Sequence, residues 1–456
     1  MSGLVEADWV EPEDFFVAHA ARQPRAFWLD GSGARPWTCR TSYVGWLDPE
    51  QLSLKYDAGK REVTAHDHET PRVIGDDIFA ALARDSEPED ALHGGWIGYF
   101  GYAAREDLPA RTGAEPTLDA CWMRATKYVA FDHERRSVRA VSSVRDRGRW
   151  SNAVAAMVSS TQPAAAPAGP PPATIISTVD RAHFGEAFVR VQSELRRGNS
   201  YETNLTFRTV VASLADPVST YRRLRRLSPA PYAAFIAHQG TSLLSSSPER
   251  FARLSVDGWL ETRPIKGTTP RYDDPVLDAE AARRLVSEPK FRGENLMIVD
   301  LLRNDLSQVC RVGTVEVTDL MHVESYPSVH QLVSTIRGRL RDDVTMVQAL
   351  HALFPGGSMT GAPKQRTMQI IADVETTARG VYSGALGWIR DDGSVDLGII
   401  IRSLVHEGEH YTLGTGGGIT VRSDWDEEYA ETQWKAQALL LSLGVELNRD
   451  IASKGR

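Results

Sequence analysis

The segment ETRPIKGTTPR places one lysine, Lys266, in a short stretch bounded by Pro264 and Pro270. Most lysines are solvated surface residues, so an exposed salt bridge is the ordinary interpretation. A buried lysine loses its proton more readily, because burial penalises the charged form, and it can then act as a nucleophile. The segment is therefore a candidate for covalent chemistry on an electrophilic substrate.

A carboxylate is expected close to this lysine. FARLSVDGWLETRP alternates around Asp257-Gly258, a dipeptide typical of a two-residue hairpin turn. In a regular ladder this turn makes Glu249 the cross-strand partner of Lys266, with Cβ atoms about 5 Å apart. Pro264 or a bulge would change that register. The pair is either a surface salt bridge or an acid beside a nucleophilic amine.

Further carboxylates lie on two predicted helices. Glu428, Glu431 and Lys435 are spaced i, i+3, i+7 and therefore share one helix face, and Glu294 opens a second helix. Carboxylate oxygens from two helices aimed at one cavity could hold Mg²⁺. The spacing alone is equally compatible with salt bridges on a helix surface, which are the commoner case.

Two glycine-rich segments lack the features of nucleotide-binding loops. In FPGGSMTGAPKQR, Ala362 follows Gly361 where a phosphate loop needs lysine, and in GTGGGIT, Ile419 replaces the third glycine of the dinucleotide pattern. Both segments still present clustered backbone N–H groups, which bind carboxylates as well as phosphates. They are candidates for binding an organic acid.

The elements that must position these residues are hairpins and long helices. ALGWIRDDGSVDLGIIIRSL alternates around Asp392-Gly393, and helices are predicted over 293–309 and 426–443. Strands followed by helices, without strict alternation, favour an α+β class with antiparallel sheet. His330 lies in the apolar strand-like run YPSVHQLVSTI, where a lone histidine is more often a core residue with satisfied hydrogen bonds than a catalyst.

The Ala- and Pro-rich segment 161–174 predicts a linker or long loop between an N-terminal region, 1–160, and a C-terminal region, 175–456, that holds the chemical signals. No internal repeat is found.

Composition limits the classes of function. The chain has 456 residues, 42% hydrophobic and 25% charged, and a net charge of −8. We expect no nucleic-acid or membrane partner, and an anionic ligand must find a local cationic site. Cys39, Cys121 and Cys310 form neither a disulfide framework nor a zinc spacing. With no signal peptide and no membrane-spanning run, the chain is expected to be cytoplasmic.

Taken in order, segments between about 178 and 443 resemble the chorismate-binding enzymes. They are SSSPERF, ETRPIKGT, ENLMIVDLLRNDL, VHQLVST, FPGGSMTGAPK, RGVYSGALGW, IIIRSL, GTGGGI and DEEYAETQWKA. The N-terminal SYVGW and GGWIGYFGY fit the amidotransferase-linked branch of the family more loosely. The resemblance implies an anthranilate-synthase-like fold, in which two large antiparallel β-sheets pack with helices around a central active site.

The resemblance also implies a set of site residues. The Mg²⁺ ligands would be Glu294 and Glu431, with Glu428 as a supporting carboxylate. The residues that match chorismate-binding positions are Gly267, Thr268, Tyr382, Arg402, Gly416, Gly417, Gly418 and Lys435. Ser358 and His330 match residues that line the site near the departing hydroxyl. Arginine and lysine suit a dicarboxylate, since arginine grips one carboxylate through two bonds and lysine adds a point charge.

Within the family, the lysine of PIKGT is typical of the aminodeoxychorismate synthases, whereas anthranilate synthases usually read PIAGT. Lys266 would attack ring carbon C2 and displace the C4 hydroxyl, with Glu249 as the acid. Ammonia would then enter at C4 and expel the lysine, giving 4-amino-4-deoxychorismate, the precursor of p-aminobenzoate and folate. Glu202 stands where water-using members of the family place a lysine base. The alternatives are an anthranilate synthase and a non-catalytic paralogue that only binds a glutaminase.

Two features qualify this expectation. KFRGENL departs from the family's usual KDRAENL, since Phe291 replaces an acidic residue and Gly293 an alanine, which removes one carboxylate from the surroundings of the metal. None of the three cysteines lies in an amidotransferase nucleophile motif, so a separate glutamine amidotransferase subunit is expected to supply ammonia.

Overall fold

The computed structural model describes residues 3–4, 8–31, 40–67, 70–84, 94–113, 118–142, 147–326 and 329–446. Within these residues, the chain forms two sheets of twelve strands each, and all of their strand pairs are antiparallel. The predicted α+β class with two large antiparallel sheets is therefore confirmed. Cys39 lies outside the described residues, whereas Cys121 and Cys310 are buried free thiols.

The first sheet contains both ends of the strand sequence. In spatial order its strands are β1 (Gly3–Leu4), β10 (Ser137–Ser142), β9 (Lys127–Asp132), β3 (Thr41–Trp46), β2 (Arg25–Asp30), β13 (Tyr232–His238), β14 (Thr241–Ser247), β23 (Ser403–Glu407), β24 (His410–Ile419), β12 (Glu202–Ser213) and β11 (Ala173–Ser177). The short strand β20 (Gly361–Ala362) also pairs with β12.

The second sheet faces the first. Its order is β17 (Ile265–Pro270), β19 (Val329–Arg339), β16 (Trp259–Arg263), β15 (Arg250–Leu254), β22 (Val395–Ile399), β21 (Ala385–Arg390), β7 (Gly95–Phe100), β8 (Ala120–Ala125), β4 (Ser53–Asp57), β5 (Glu62–His66) and β6 (Arg72–Gly75). In addition, β18 (Glu316–Ser325) pairs with β19.

Helices cover the outer faces of both sheets. They are α1 (Pro12–Phe15), extended by a π-helical turn (Phe16–Ala20), α2 (Ile78–Arg84), α3 (Arg147–Ser160), α4 (Arg181–Arg196), α5 (Pro217–Leu227), α6 (Pro275–Ser287), α7 (Pro289–Ser307), α8 (Met346–Leu353), α9 (Lys364–Val374) and α10 (Trp425–Ser442). Two 3₁₀ turns span Tyr102–Ala104 and Gly357–Met359. Among the described residues, no helix is both long and apolar enough to cross a membrane.

The three largest apolar clusters among the described residues form layers that hold this arrangement together. One layer packs α7 and α8 against the second sheet, and another packs α5 and α10 against the first sheet. The third lies between the sheets and includes Phe27 of β2, Ile97 of β7 and Cys121 of β8, all at most 5% exposed. Because side chains alternate along a strand, each sheet can feed two apolar layers at once.

Local signals explain where the two helices of the expected site begin. Helix α7 starts with Pro289, which suits a first turn that has no carbonyl partner for its N–H groups. At α10, the Asp424 side chain accepts from the amides of Asp426 and Glu427, a typical N-cap. Both predicted helices are found, but α7 begins four residues earlier than expected, so Glu294 lies in its second turn rather than at its start.

The two regions on either side of the Pro-rich segment share both sheets. Strand β2 pairs with β13 in the first sheet, and β7 pairs with β21 in the second. The segment 161–174 is held in place, since the Ala164 amide donates to Asp14 at 2.8 Å and the Arg222 guanidinium donates to the Ala165 carbonyl at 2.6 Å. The region boundaries at 160 and 174 stay predictions.

Candidate functional site

The site is centred on an ion pair that bridges the two sheets. Lys266, on β17, donates from Nζ to Oε1 of Glu202, the first residue of β12, at 2.6 Å. The side chains are 12% and 1% exposed, respectively. A Cβ at Gly418 of β24 would overlap the Glu202 carboxylate and lie 3.3 Å from Nζ. Glycine at this position therefore leaves the space that the pair occupies.

The environment of Lys266 differs from the expected one in one respect. Burial by itself would lower the pKa of the Lys266 ammonium, but Glu202, Glu294 and Glu249 together outweigh that effect, so the pKa is raised. The expectation that the lysine pKa falls on burial is wrong for this resting site. Lys266 is a cation here, and it becomes a nucleophile only after its proton moves elsewhere.

Glu249 provides a buried acid beside the same strand. Ser358 and the Ile265 backbone favour the charged form of its carboxylate, while Oε1 has no hydrogen-bond partner among the described residues. Burial raises the pKa of Glu249 to about 7, against the opposing effects of Ser358 and Lys266. Glu249 can therefore carry a proton near neutral pH and present it to a reacting group.

The predicted cross-strand pairing of Glu249 with Lys266 is wrong, although the two residues do lie in the same site. Leu254 pairs with Leu260, one position short of the expected register, because the turn encloses three residues rather than two. A bulge then places Arg250 opposite Arg263. Beyond Pro264, β17 pairs with β19 instead, because a proline cannot donate to the ladder.

The second predicted hairpin shows the same kind of error. The strands around Asp392-Gly393 do form a hairpin, β21 with β22. The Arg390 amide donates to the Ser394 carbonyl at 2.9 Å, so this turn also encloses three residues.

Three glutamates from α7 and α10 lie on the lysine side of the site. Burial raises the pKa of Glu294 on α7 to about 7, and the neighbouring Glu202 and Glu428 add to that effect. Burial, with the charge of Glu431, also raises the pKa of Glu428 on α10. Lys435 lowers the pKa of Glu431 through an ion pair of 2.8 Å. The helices thus bring together the three carboxylates that the sequence singled out.

These carboxylates have the donor chemistry of a magnesium site, since Mg²⁺ prefers carboxylate oxygen. A cation would relieve the mutual repulsion that raises the pKa values of Glu294 and Glu428. In this conformation, lysines take part of that role, with Lys290 Nζ 3.6 Å from Glu428 Oε1 and Lys435 on Glu431. Within the described residues, no three acidic, histidine or cysteine side chains converge tightly enough to hold an ion.

Two cations, Lys435 and Arg402, lie near Tyr382. Lys435 Nζ donates to the Gly416 carbonyl at 2.8 Å, and a Cβ at Gly417 would lie 3.7 Å from the same Nζ. Burial raises the pKa of Tyr382, and Lys435 is among the charges that oppose this effect. Burial also lowers the pKa of Arg402, whose guanidinium stacks 5.0 Å from the Trp434 ring centre.

The PIKGT segment bends at its glycine. Gly267 has a φ of +97°, a conformation that favours glycine, and it lies in the bulge between Ile265 and Thr268. The ring of Phe291 covers it, since a Cβ at 267 would lie 3.1 Å from that ring. The aromatic residue that departs from the family pattern therefore packs against the glycine next to the lysine.

His330 is not brought into bonding contact with the other predicted site residues. Its Nδ1 shares a hydrogen bond of 2.7 Å with the Ser325 hydroxyl, and its Nε2 lies 3.0 Å from Asp278 of α6. Asp278 is in turn bound by Arg271. The ring is 3% exposed, and both of its nitrogens are engaged outside the site, which fits the core interpretation better than the catalytic one.

The sequence reasoning missed a buried polar group behind Tyr382. It consists of Arg208, Glu375, Arg379, Tyr102 and Thr206, and each of these residues is at most 7% exposed. On β12, Glu202, Asn204, Thr206 and Arg208 alternate and therefore face the same side. The alternating polar residues that follow Glu202 could therefore have predicted that Arg208 lies on the same side of the strand as the site.

Comparison with known proteins agrees with this geometry. A family model described as chorismate binding enzyme matches residues 34–441. Aminodeoxychorismate synthase of Streptomyces pristinaespiralis is 42% identical over 458 residues, 94% of this chain and 63% of the relative. Aminodeoxychorismate synthase component 1 of Klebsiella aerogenes is 39% identical over 372 residues, 79% of this chain and 80% of the relative.

A solved structure has the same fold. Anthranilate synthase component I from Streptococcus pneumoniae TIGR4 matches with a TM-score of 0.75 and 26% identity, covering 89% of this chain and 93% of that chain. The present chain spans less than two thirds of the length of the Streptomyces pristinaespiralis relative. The expected anthranilate-synthase-like fold is confirmed, and the chain belongs to the chorismate binding enzyme family.

Proposed function

We propose that the chain is an aminodeoxychorismate synthase component I, which converts chorismate and ammonia to 4-amino-4-deoxychorismate. The observation that carries this proposal is the buried Lys266, hydrogen-bonded to Glu202 in a site that also holds Glu249. The names of the relatives from Streptomyces pristinaespiralis and Klebsiella aerogenes support it.

In the first step, Lys266 passes a proton to Glu202, and its free amine attacks C2 of the substrate ring. The ring double bonds shift, the C4–O bond breaks, and Glu249 protonates the departing hydroxyl so that it leaves as water. The raised pKa of Glu249, caused by burial, keeps that proton available near pH 7. Covalent catalysis replaces one difficult displacement by two easier ones.

In the second step, ammonia attacks C4 and the bond between C2 and the lysine nitrogen breaks. The electron pairs of the ring shift back, and Lys266 is regenerated. Glu202 returns its proton to the released Lys266 amine, and the proton lost by the attacking ammonia goes to Glu249, so the sum is chorismate plus ammonia giving the amino product plus water. Lys266, Glu202 and Glu249 thus return to their resting state.

The cationic groups near Tyr382 would orient the substrate by binding its carboxylates. Arg402, Lys435 and the Tyr382 hydroxyl would hold carboxylate oxygens of chorismate, with the backbone of Gly416–Gly418 beside them. Glu294 and Glu431, supported by Glu428, would hold Mg²⁺. When bound, that ion supplies a positive charge for a substrate carboxylate.

We propose that a glutaminase partner provides the ammonia. The "component 1" name of the Klebsiella aerogenes relative supports a partner subunit. We further propose that the reaction takes place in the cytoplasm, which cell fractionation would test.

Product identification is the decisive experiment. The purified chain with chorismate, Mg²⁺ and a high ammonium concentration at alkaline pH should form 4-amino-4-deoxychorismate, identified by mass spectrometry and NMR. Glutamine should replace ammonium only when a glutaminase is added. Anthranilate as the main product would favour the anthranilate synthase alternative, and the absence of any chorismate conversion would favour the non-catalytic one.

A further inference from the structure

Two arginine–tyrosine stacks lie side by side in the polar group behind the site. The Arg379 guanidinium lies 4.4 Å from the Tyr102 ring centre, and the Arg208 guanidinium lies 4.5 Å from the Tyr382 ring centre. Both arginines share one carboxylate, that of Glu375. The stacks are alike in geometry, but they differ in how their charges are compensated.

Arg379 is fully engaged by hydrogen bonds. It donates to both Glu375 oxygens, at 2.7 and 3.0 Å, and to the carbonyls of Met359 and Asn204, at 2.6 and 2.7 Å. A fifth bond goes to the Ser383 hydroxyl. Glu375 also accepts from the Thr206 amide and hydroxyl, at 2.9 and 2.8 Å, so its hydrogen bonds go to Arg379 and Thr206 and none goes directly to Arg208.

Arg208 is left with little compensation. Its Nη2 donates to the Thr206 hydroxyl and lies 3.9 Å from Glu375, beyond hydrogen-bond distance. Within the part of the chain that the structure describes, its Nε and Nη1 are buried without a hydrogen-bond partner, and the residue is 7% exposed. A buried charge held by one hydrogen bond and a long ion pair costs free energy, so its persistence points to a function.

The structure makes room for this stack. Gly414 of β24 is the cross-strand partner of Arg208, and a Cβ there would overlap both the Arg208 Nη1 and the Tyr382 ring. The Arg208 guanidinium is held against the face of the Tyr382 ring instead of facing solvent or hydrogen-bond acceptors. The charge of Arg208 is thereby directed at Tyr382.

We propose that Arg208 is a positioning residue for substrate, whose guanidinium fixes the Tyr382 ring and makes the Tyr382 hydroxyl a stronger hydrogen-bond donor to a substrate carboxylate. The choice of a carboxylate rests on the proposed function. The polarisation of Tyr382 does not, because it follows from the stack alone.

The electrostatics agree with the geometry. Burial raises the pKa of the Tyr382 phenol, and Arg208 is the largest of the charges that oppose this effect. Burial also lowers the pKa of Arg208 to about 10, which leaves the guanidinium charged at neutral pH. A positive charge against the ring stabilises the partial negative charge on the phenol oxygen and so strengthens donation by its O–H.

The first test needs no substrate. Replacing Tyr382 with 3,5-difluorotyrosine gives a phenol that titrates at a lower pH and can be followed by fluorine NMR. Its pKa should rise when Arg208→Met is introduced, and it should rise less with Arg208→Lys, which keeps the charge but not the planar stack. Equal pKa values in all three proteins would overturn the proposal. The lysine variant carries the test if the methionine variant does not fold.

The second test is a double-mutant cycle on chorismate binding, measured by calorimetry. Arg208→Met should raise the Kd for chorismate about tenfold in the native protein. In a protein that already carries Tyr382→Phe, the same substitution should change Kd very little. A full loss that persists in Tyr382→Phe would show a purely structural role. Arg390→Met, which removes a guanidinium stacked 4.1 Å from the Trp388 ring centre, is the matched control and should leave Kd unchanged.

The two tests separate the two proposals. If the native protein does not bind chorismate, the proposed function fails, while the fluorine titration still decides the role of Arg208. If chorismate binds tightly but the titration shows no shift, the inference on Arg208 fails and the proposed function stands.

Discussion

Among the polar contacts between the two sheets, two lie at different places and differ in charge. The lysine bridge links Lys266 of the second sheet to Glu202 of the first. The histidine bridge links Ser53 of the second sheet to His238 of the first, with an Oγ–Nε2 distance of 2.9 Å. His66 lies beside it, its ring centre 5.7 Å from that of His238.

Burial acts on the two bridges in different ways. At the histidine bridge it lowers the pKa of His66 to about 4 and that of His238 well below its usual value, helped by Lys55, so both rings are neutral. At the lysine bridge, burial lowers the pKa of Lys266, but the surrounding carboxylates, Glu202 first among them, outweigh it and keep the ammonium charged. A neutral bridge serves stability, whereas an ion pair held in a buried site is ready to move a proton.

The buried side-chain atoms that lack a hydrogen-bond partner also differ between the two bridges. Among the described residues, two such atoms lie in or beside each bridge. In the histidine bridge these are ring nitrogens of neutral imidazoles, His66 Nε2 and His238 Nδ1. At the lysine bridge they are carboxylate oxygens, Glu202 Oε2 and Glu249 Oε1. An unpaired carboxylate oxygen costs more free energy, which is compatible with a site that awaits a ligand.

Breaking the lysine bridge should have the largest effect. Lys266→Ala should cut formation of 4-amino-4-deoxychorismate by several orders of magnitude, because it removes the nucleophile. Residual product should shift towards amination at C2, since ammonia can then attack that carbon directly. The unpaired Glu202 should lower the free energy of unfolding by about 1–3 kcal/mol.

Product regiochemistry by NMR and the melting temperature would be measured together. Lys55→Ala, next to the histidine bridge, is the matched control and should keep the native product and rate. A Lys266→Ala protein that makes 4-amino-4-deoxychorismate at nearly the native rate would rule out the nucleophile role.

Removal of metal should have an effect of nearly the same size. Chelation with EDTA should abolish turnover and added Mg²⁺ should restore it, because the substrate carboxylate loses its counter-charge. Glu294→Gln should raise the Mg²⁺ concentration needed for half-maximal activity. Glu427→Gln, on the same helix as Glu431 but with its side chain 74% exposed, should not. Full turnover after exhaustive chelation would remove the metal assignment.

Glu249→Gln should have a smaller effect on rate and a distinct effect on pH dependence. Loss of the general acid should lower kcat by about 10²–10⁴-fold. In the native enzyme the rate of the first step should fall as pH rises through about 7, because burial gives Glu249 that pKa and the group must be protonated to act. The variant should lack this alkaline limb. A limb unchanged in Glu249→Gln would assign the proton to another group.

The smallest effect concerns the histidine bridge. Folded His66 and His238 resist protonation, whereas the unfolded chain takes up protons below about pH 6.5. The free energy of unfolding should therefore fall as pH drops from 6.5, by about 1.4 kcal/mol per pH unit for each histidine. Urea denaturation between pH 5 and 8 should show a flatter profile for His238→Gln, at nearly native activity. His183→Gln, an exposed control, should not flatten the profile, because the hydrogen bond to Asp180 raises the pKa of His183 instead of lowering it.

Much of the fold follows from local patterns. Alternation in strands, the Asp-Gly turns and the spacing of charged residues on α10 predicted antiparallel sheet, two hairpins and the helix that carries Glu428, Glu431 and Lys435. The bounds of α10 differ from the expected ones by one residue at each end. These features depend on residues close in the chain, so the sequence contains the information directly.

The register of strand pairs and the choice of strand partners could not be predicted in the same way. Whether a turn encloses two or three residues depends on backbone geometry at a few positions, and one added residue moves every cross-strand partner. For that reason the pairing of Glu249 with Lys266 was wrong, even though both residues were correctly identified as neighbours in one site. The sequence also could not choose between the core and catalytic interpretations of His330, which depend on whether Asp278 and Ser325 reach its ring.

By itself, the sequence determined the chemical groups of this protein: a lysine in a proline-bounded strand, an acid before β15, carboxylates on two helices and glycines on β24. Only the tertiary structure decided which groups meet. Glu202 and Lys266 are 64 positions apart in the chain, and their pairing follows from how the two sheets face each other. The direction of the Lys266 pKa and the sparse hydrogen bonding of Arg208 follow in turn, because a buried charge is governed by the few atoms around it, wherever in the chain they originate.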